Sequence, residues 1–124
     1  PDAGTCLHDH RQPRVSDSIQ GNGVVLGTPR GREVRPVYHG RVVFAHWLAG
    51  MGLLVVVDHG EGYMTLYGYN ETLLKNTGDW VAPGDVIATV GDSGGQAVSA
   101  LYFEIRRGTS PVNPRQWVTR RPGD

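Results

Sequence analysis

Glycine marks this chain at short intervals from Gly21 to Gly95, and 8 prolines are spread widely among the 18 glycines. That spacing is the punctuation of many short strands joined by turns. Between the marks lie brief apolar runs with no helical period of useful length. Val24–Leu26 reads as a strand, with Thr28-Pro29-Arg30-Gly31 as the turn after it. Glu33–Tyr38, Arg41–Trp47 and Leu53–Asp58 read as further strands, and the last is apolar enough to be buried on both faces. His59-Gly60-Glu61-Gly62 is a tight hairpin connection, and Tyr63–Tyr69 is the returning strand. Glu71–Lys75 is the one candidate helix. Trp80-Val81, Val86–Val90 and Leu101–Arg107 complete the strand set, with Asp92–Ser99 as a loop and Pro114–Val118 closing the domain. The expected class is all-β, as two packed or partly closed antiparallel sheets. Residues 1–20 read as an N-terminal arm with at most one short strand, 21–118 as the domain and 119–124 as a frayed tail.

A chain of 124 residues suits one domain with a real core. Its 12 Lys and Arg balance 12 Asp and Glu. That neutrality argues against a nucleic-acid role and against a polybasic membrane surface. Cys6 is the only cysteine, so no disulfide can form within the chain. No stretch approaches the roughly 20 apolar residues of a membrane span. The sequence starts at Pro1 rather than methionine, which suggests a piece of a longer protein with further regions upstream.

Strand alternation sorts the candidate binding residues. Tyr102, Glu104 and Arg106 should share one face, with Leu101, Phe103 and Ile105 on the other. The same rule puts Tyr67 and Tyr69 on one face. Of the five histidines, His8 and His10 have the spacing of a ligand pair but no third partner. His46 reads as a packed or surface residue, and His39 and His59 as turn residues serving the backbone. No cofactor is expected from them.

Four stretches in order carry a family resemblance: Arg41–Ala45, Gly52–Tyr67 (GLLVVVDHGEGYMTLY), Gly78–Gly91 (GDWVAPGDVIATVG) and Leu101–Gly108 (LYFEIRRG), with Val112-Asn113-Pro114 downstream. Together they resemble the lysostaphin/LytM-type zinc endopeptidase domain, which cuts peptidoglycan cross-links. The resemblance implies a barrel-sandwich hybrid of antiparallel sheets with a duplicated hybrid motif. Active members hold an HxxxD motif before a Pro-x-Gly turn, where this chain has Gly21 and Val25. They end a strand in Tyr-Ala-His, which here is Tyr67-Gly68-Tyr69. They carry His-x-His before Phe-Glu, which here is Ala100-Leu101-Tyr102. A catalytic zinc needs about three nitrogen, sulfur or carboxylate ligands and an open position. Glycine, valine and alanine supply none, and a phenol with a pKa of about 10 is a poor ligand at neutral pH. The expected metal complement is therefore none, and the chain should not be an enzyme.

Within the family the chain is most similar to degenerate members that activate cell-wall amidases. That likeness implies a docking groove made by Tyr67, Tyr69, Tyr102, Arg106, Leu54, Met51 and Asn22. Tyrosine and arginine are the residue types enriched at interface hot spots. The implied partner is a periplasmic N-acetylmuramoyl-L-alanine amidase, whose blocking helix the groove would accept. Peptidoglycan is a second candidate partner, and divisome components would be met through an upstream region. The implied place is the periplasm of a Gram-negative envelope, at the division site. Rival readings are a peptidoglycan-binding module and a zinc endopeptidase with unusual ligands. A lipoyl-type barrel is set aside because the single lysine, Lys75, is on the wrong element.

Overall fold

The computed structural model describes residues 19–20, 23–108 and 110–112. Ten strands run in chain order: β1 (Ile19–Gln20), β2 (Gly23–Gly27), β3 (Glu33–Val34), β4 (Gly40–Leu48), β5 (Gly52–Gly60), β6 (Tyr63–Leu73), β7 (Trp80–Val81), β8 (Ala88–Val90), β9 (Ala100–Arg107) and β10 (Ser110–Val112). Every pairing among them is antiparallel, in the order β1-β2-β9-β6-β5-β4-β7, with β10 beside β9 and β8 between β3 and β6. The all-β expectation holds. Among the described residues there is no helix, and so none long and apolar enough to cross a membrane.

Two long hairpin strands form the centre. β5 and β6 meet through Glu61 and Gly62, whose φ angles of 54° and 83° are what a two-residue mirror-image turn requires. β6 then changes partners along its length. Residues up to Gly68 lie against β9, whereas Asn70–Leu73 lie against β8. This change folds the sheet over a core of Val24, Val34, Val42, Val55, Val57, Tyr67, Val81, Ile87, Val90, Leu101, Phe103 and Ile105. Alternation on β9 works as expected: Leu101, Phe103 and Ile105 enter the core, and Tyr102 and Glu104 do not.

Three elements depart from the sequence reading. Glu71–Lys75 is not a helix, because β6 runs on to Leu73 and its last residues bond to β8, with the Leu74 amide donating to the Ile87 carbonyl at 2.9 Å. The run Glu33–Tyr38 shortens to Glu33–Val34, ahead of Pro36, which lacks the N–H a ladder needs. β5 is buried on both faces only in part: Val55 and Val57 face the core and Leu54 is buried on the opposite face, while Leu53 and Val56 are partly exposed and Asp58 is exposed. Cys6, His8, His10 and Pro114–Val118 lie outside the described residues.

Candidate functional site

On the side of the sheet away from the main core, Val25, Tyr69, Ala100 and Tyr102 pack into a second, smaller cluster with Met51 against it. Register explains most of the assembly. Tyr102 pairs with Val25 on one side and with Gly68 on the other, and directly opposed residues share a face. The exception is Tyr69. Between the pairs Val55–Tyr67 and Leu53–Asn70, β6 contributes two residues, Gly68 and Tyr69, against the single Leu54. This β-bulge moves everything after it to the opposite face. Tyr69 takes φ 71° at that point. Its ring then lies 5.6 Å from that of Tyr102, at an interplanar angle of 53°.

The bulge overturns one sequence expectation. Tyr67 does not join a groove. It is 1% exposed in the main core, its ring centroid 5.5 Å from that of Phe103 at a tilt of 49°, with its hydroxyl 2.7 Å from Thr65 Oγ1 and accepting from the Val37 amide at 3.2 Å. Burial pushes its phenol up to about 12. Leu54 is buried on the same face as Tyr102, opposite His46, and Met51 lies over Gly68. Gly21 and Asn22 lie outside the described residues.

Two residues with no obvious signal in the sequence hold the bulge. Asn70 Nδ2 donates to the carbonyls of Tyr67 (2.8 Å) and Leu53 (3.0 Å). Ser93 Oγ donates to the Asn70 carbonyl at 2.6 Å and accepts from the Leu53 amide at 3.0 Å. The Tyr69 amide donates to the Met51 carbonyl at 2.7 Å, which ties the loop before β5 to the cluster.

The cluster is a closed piece of packing. Tyr69 and Tyr102 are each 3% exposed. A Cβ on Gly23 would lie 2.6 Å from Tyr102 Cζ, so the absent side chain makes room for the phenol. The Tyr102 hydroxyl donates to Glu104 Oε1 at 2.5 Å, and Arg106 Nε lies 2.7 Å from Glu104 Oε2. Glu104 is 2% exposed, while the Arg106 side chain is 33% exposed at the edge of the cluster. Sequence reading placed Glu104 on this face but gave it no role. It also missed Phe44, Val56 and Leu66, which continue the same face toward β4 and need the strand order to be found.

A zinc ion does not fit this set. Val25 and Ala100 have no donor atoms, and Tyr69 and Tyr102 are phenols. Burial raises both phenols above their ordinary value, and for Tyr102 the Glu104 carboxylate raises it further. A thiolate, imidazole or carboxylate set is required instead. Among the described residues no group of three His, Cys, Asp or Glu is arranged to hold a metal.

Fold and site together define a peptidase-type β scaffold that carries a buried cluster of Val25, Tyr69, Ala100 and Tyr102. Residues 20–114 match peptidase family M23, and the chain belongs to that family. It is 46% identical over 120 residues to the murein hydrolase activator EnvC of Escherichia coli K12, covering 97% of this chain and 28% of that protein. It is 33% identical over 100 residues to the murein hydrolase activator NlpD of the same strain, covering 80% of this chain and 26% of that one. The chain thus spans less than a third of the length of either relative. Its fold superposes on the catalytic domain of the antimicrobial peptidase lysostaphin from Staphylococcus simulans with a TM-score of 0.74 and 22% identity, covering 82% of this chain and 84% of that one.

Proposed function

We propose that this chain is a non-catalytic activator domain for a cell-wall amidase, an N-acetylmuramoyl-L-alanine amidase working on peptidoglycan during cell separation. The observation that carries the reading is the buried Val25–Tyr69–Ala100–Tyr102 cluster with Arg106 at its edge, which we read as standing at the family's ligand positions. Two relatives named murein hydrolase activators support it. The catalytic metal then belongs to the partner.

The proposed docking surface is the sheet face over the cluster, with Met51 and Arg106 as its accessible part and the buried Leu54, Tyr69 and Tyr102 as its floor; Asn22, outside the described residues, is proposed to contribute to it. Tyr67 is not part of it. An amphipathic helix would lay anchors at i, i+3, i+4 and i+7 along this face. Met51 is the adaptable part, since an unbranched thioether repacks easily. A partner helix that blocks the amidase when at rest and binds here when displaced shifts the amidase toward its open form by the difference in affinity. In this reading the chain works in the periplasm of a Gram-negative envelope, at the division site, which its likeness to the Escherichia coli activators supports. Divisome components would act through regions upstream.

The test mixes the purified chain with periplasmic amidases of its own organism and reads dye release from labelled cell wall. Activation is expected from the unaltered chain and not from Arg106→Ala. Full activation by Arg106→Ala would refute the groove. Dye release by the chain alone would restore the peptidase reading, and sedimentation with peptidoglycan in the absence of an amidase would favour a wall-binding module.

A further inference from the structure

We propose that Glu104 is a positioning residue for partner recognition, holding Arg106 so that its outer guanidinium edge donates to backbone carbonyls of the partner. The inference rests on the docking reading above and adds a residue and a ligand chemistry to it.

Three side chains stand in a row on one face of β9. In the middle is a carboxylate that is 2% exposed. Removing a carboxylate from water is costly unless it is paired and hydrogen-bonded. Its Oε1 receives the Tyr102 hydroxyl at 2.5 Å. Its Oε2 has Arg106 Nε at 2.7 Å but no aligned hydrogen bond among the described residues, so that contact is chiefly Coulombic. Stability does not account for the arrangement, because an apolar residue of similar volume does as well or better than a buried ion pair. Placement does. Charge attraction holds Nε against Glu104 Oε2 at 2.7 Å and so fixes where the guanidinium stands, while Nη1 and Nη2 have no hydrogen bond among the described residues, on a side chain 33% exposed.

The charge balance selects the ligand. Glu104 neutralises Arg106, so the outward edge is a forked donor with little net charge. A partner carboxylate would meet the repulsion of Glu104 close behind the guanidinium. Neutral carbonyl oxygens would not, and the last turn of a helix offers up to four that lack intrahelical donors.

The experiment uses the purified chain and the amidase that it activates in the dye-release assay. Affinity is measured by titration at low and high salt, alongside thermal melts and the ¹⁵N NMR signal of the Arg106 Nε–H. Glu104→Gln is expected to weaken binding by about 10- to 100-fold, the range for losing a hydrogen-bonded charged contact. Arg106→Ala should cost a similar factor, and the double variant no more than either single one, because both act through one contact. The Nε–H signal should shift or broaden in Glu104→Gln without a matching loss of melting temperature, which a merely structural role would not produce. Affinity of the unaltered chain should depend only weakly on salt.

Normal binding by Glu104→Gln beside failed binding by Arg106→Ala would overturn the role of Glu104 and leave the docking surface standing. Tighter binding by Glu104→Gln, or a steep loss of affinity with salt, would overturn the carbonyl assignment in favour of a carboxylate. Normal binding by Arg106→Ala would remove the docking surface and this inference together. Should Glu104→Gln not fold, Tyr102→Phe deletes only the hydroxyl that fixes the carboxylate. Unchanged affinity in that variant would equally overturn the proposal.

Discussion

Tyr69 occupies a left-handed backbone conformation, which a bulky L-residue adopts at a cost of about 1–2 kcal/mol. The surroundings impose it. Its amide is held by Met51, and Asn70 spans the carbonyls of Tyr67 and Leu53. Asn70→Asp would replace a donor with a carboxylate facing two carbonyls in a buried site, and should destabilise the domain by about 3 kcal/mol or more. Urea unfolding measures this, and an unchanged midpoint would show that the amide does not hold the bulge. Tyr102→Ala is a poor probe of docking, because truncating a buried aromatic costs about 3–5 kcal/mol in itself. The identities of the cluster residues were legible in the sequence, since Val25, Tyr69, Ala100 and Tyr102 come together as the motifs imply. The face of Tyr67 was not. Alternation assumes one residue per step, and nothing in Leu66–Asn70 announces an extra one. The partners that create it, Leu53 and Ser93, are 17 and 23 residues from Asn70 in sequence.

At the scale of elements, the β5–β6 hairpin is closed by a hydrogen-bond chain whose direction can be worked out. The His39 carbonyl only accepts, so His59 Nδ1 carries the proton at 2.8 Å. In the neutral ring Nε2 then accepts from Thr65 Oγ1 at 2.7 Å, and Thr65 in turn accepts from the Tyr67 hydroxyl. Protonating His59 would turn Nε2 into a donor and leave one hydroxyl hydrogen of the buried Thr65–Tyr67 pair without its acceptor. Burial lowers the His59 pKa below its ordinary 6.5 in the folded state, against a smaller opposing effect of the His39 carbonyl. The unfolded chain therefore takes up the proton first. The stability from neutral His59 is complete above about pH 6.5 and is lost as pH falls below it toward the folded value. Thermal melts should show this slope, and His59→Phe should flatten it. An equal slope in that variant would assign the effect elsewhere. The hairpin itself was plain in the sequence, because Gly60-Glu61-Gly62 sits between two β-branched and aromatic runs. The false helix at Glu71–Lys75 arose because a short polar segment fits either state, and only pairing with β8 decides it.

For the whole molecule, two cores lie on opposite faces of one folded sheet, and under the proposed function the smaller stands where active relatives would hold a metal. A chelator should therefore leave the melting temperature unchanged, and a fall on chelation would show that a metal supports the fold. Fold class followed from the turn spacing. The partner change along β6 did not, because strand order is a property of distant pairings. The close approach of Gly23 to the Tyr102 ring has a historical consequence. A side chain at 23 and a phenol at 102 exclude one another, so mutational routes from an ancestor with smaller groups at 102 run in one direction. Glycine must arrive before tyrosine or together with it, and a larger residue at 23 stays closed even after the tyrosine has gone, because its Cβ would also lie 2.7 Å from the Phe103 carbonyl oxygen.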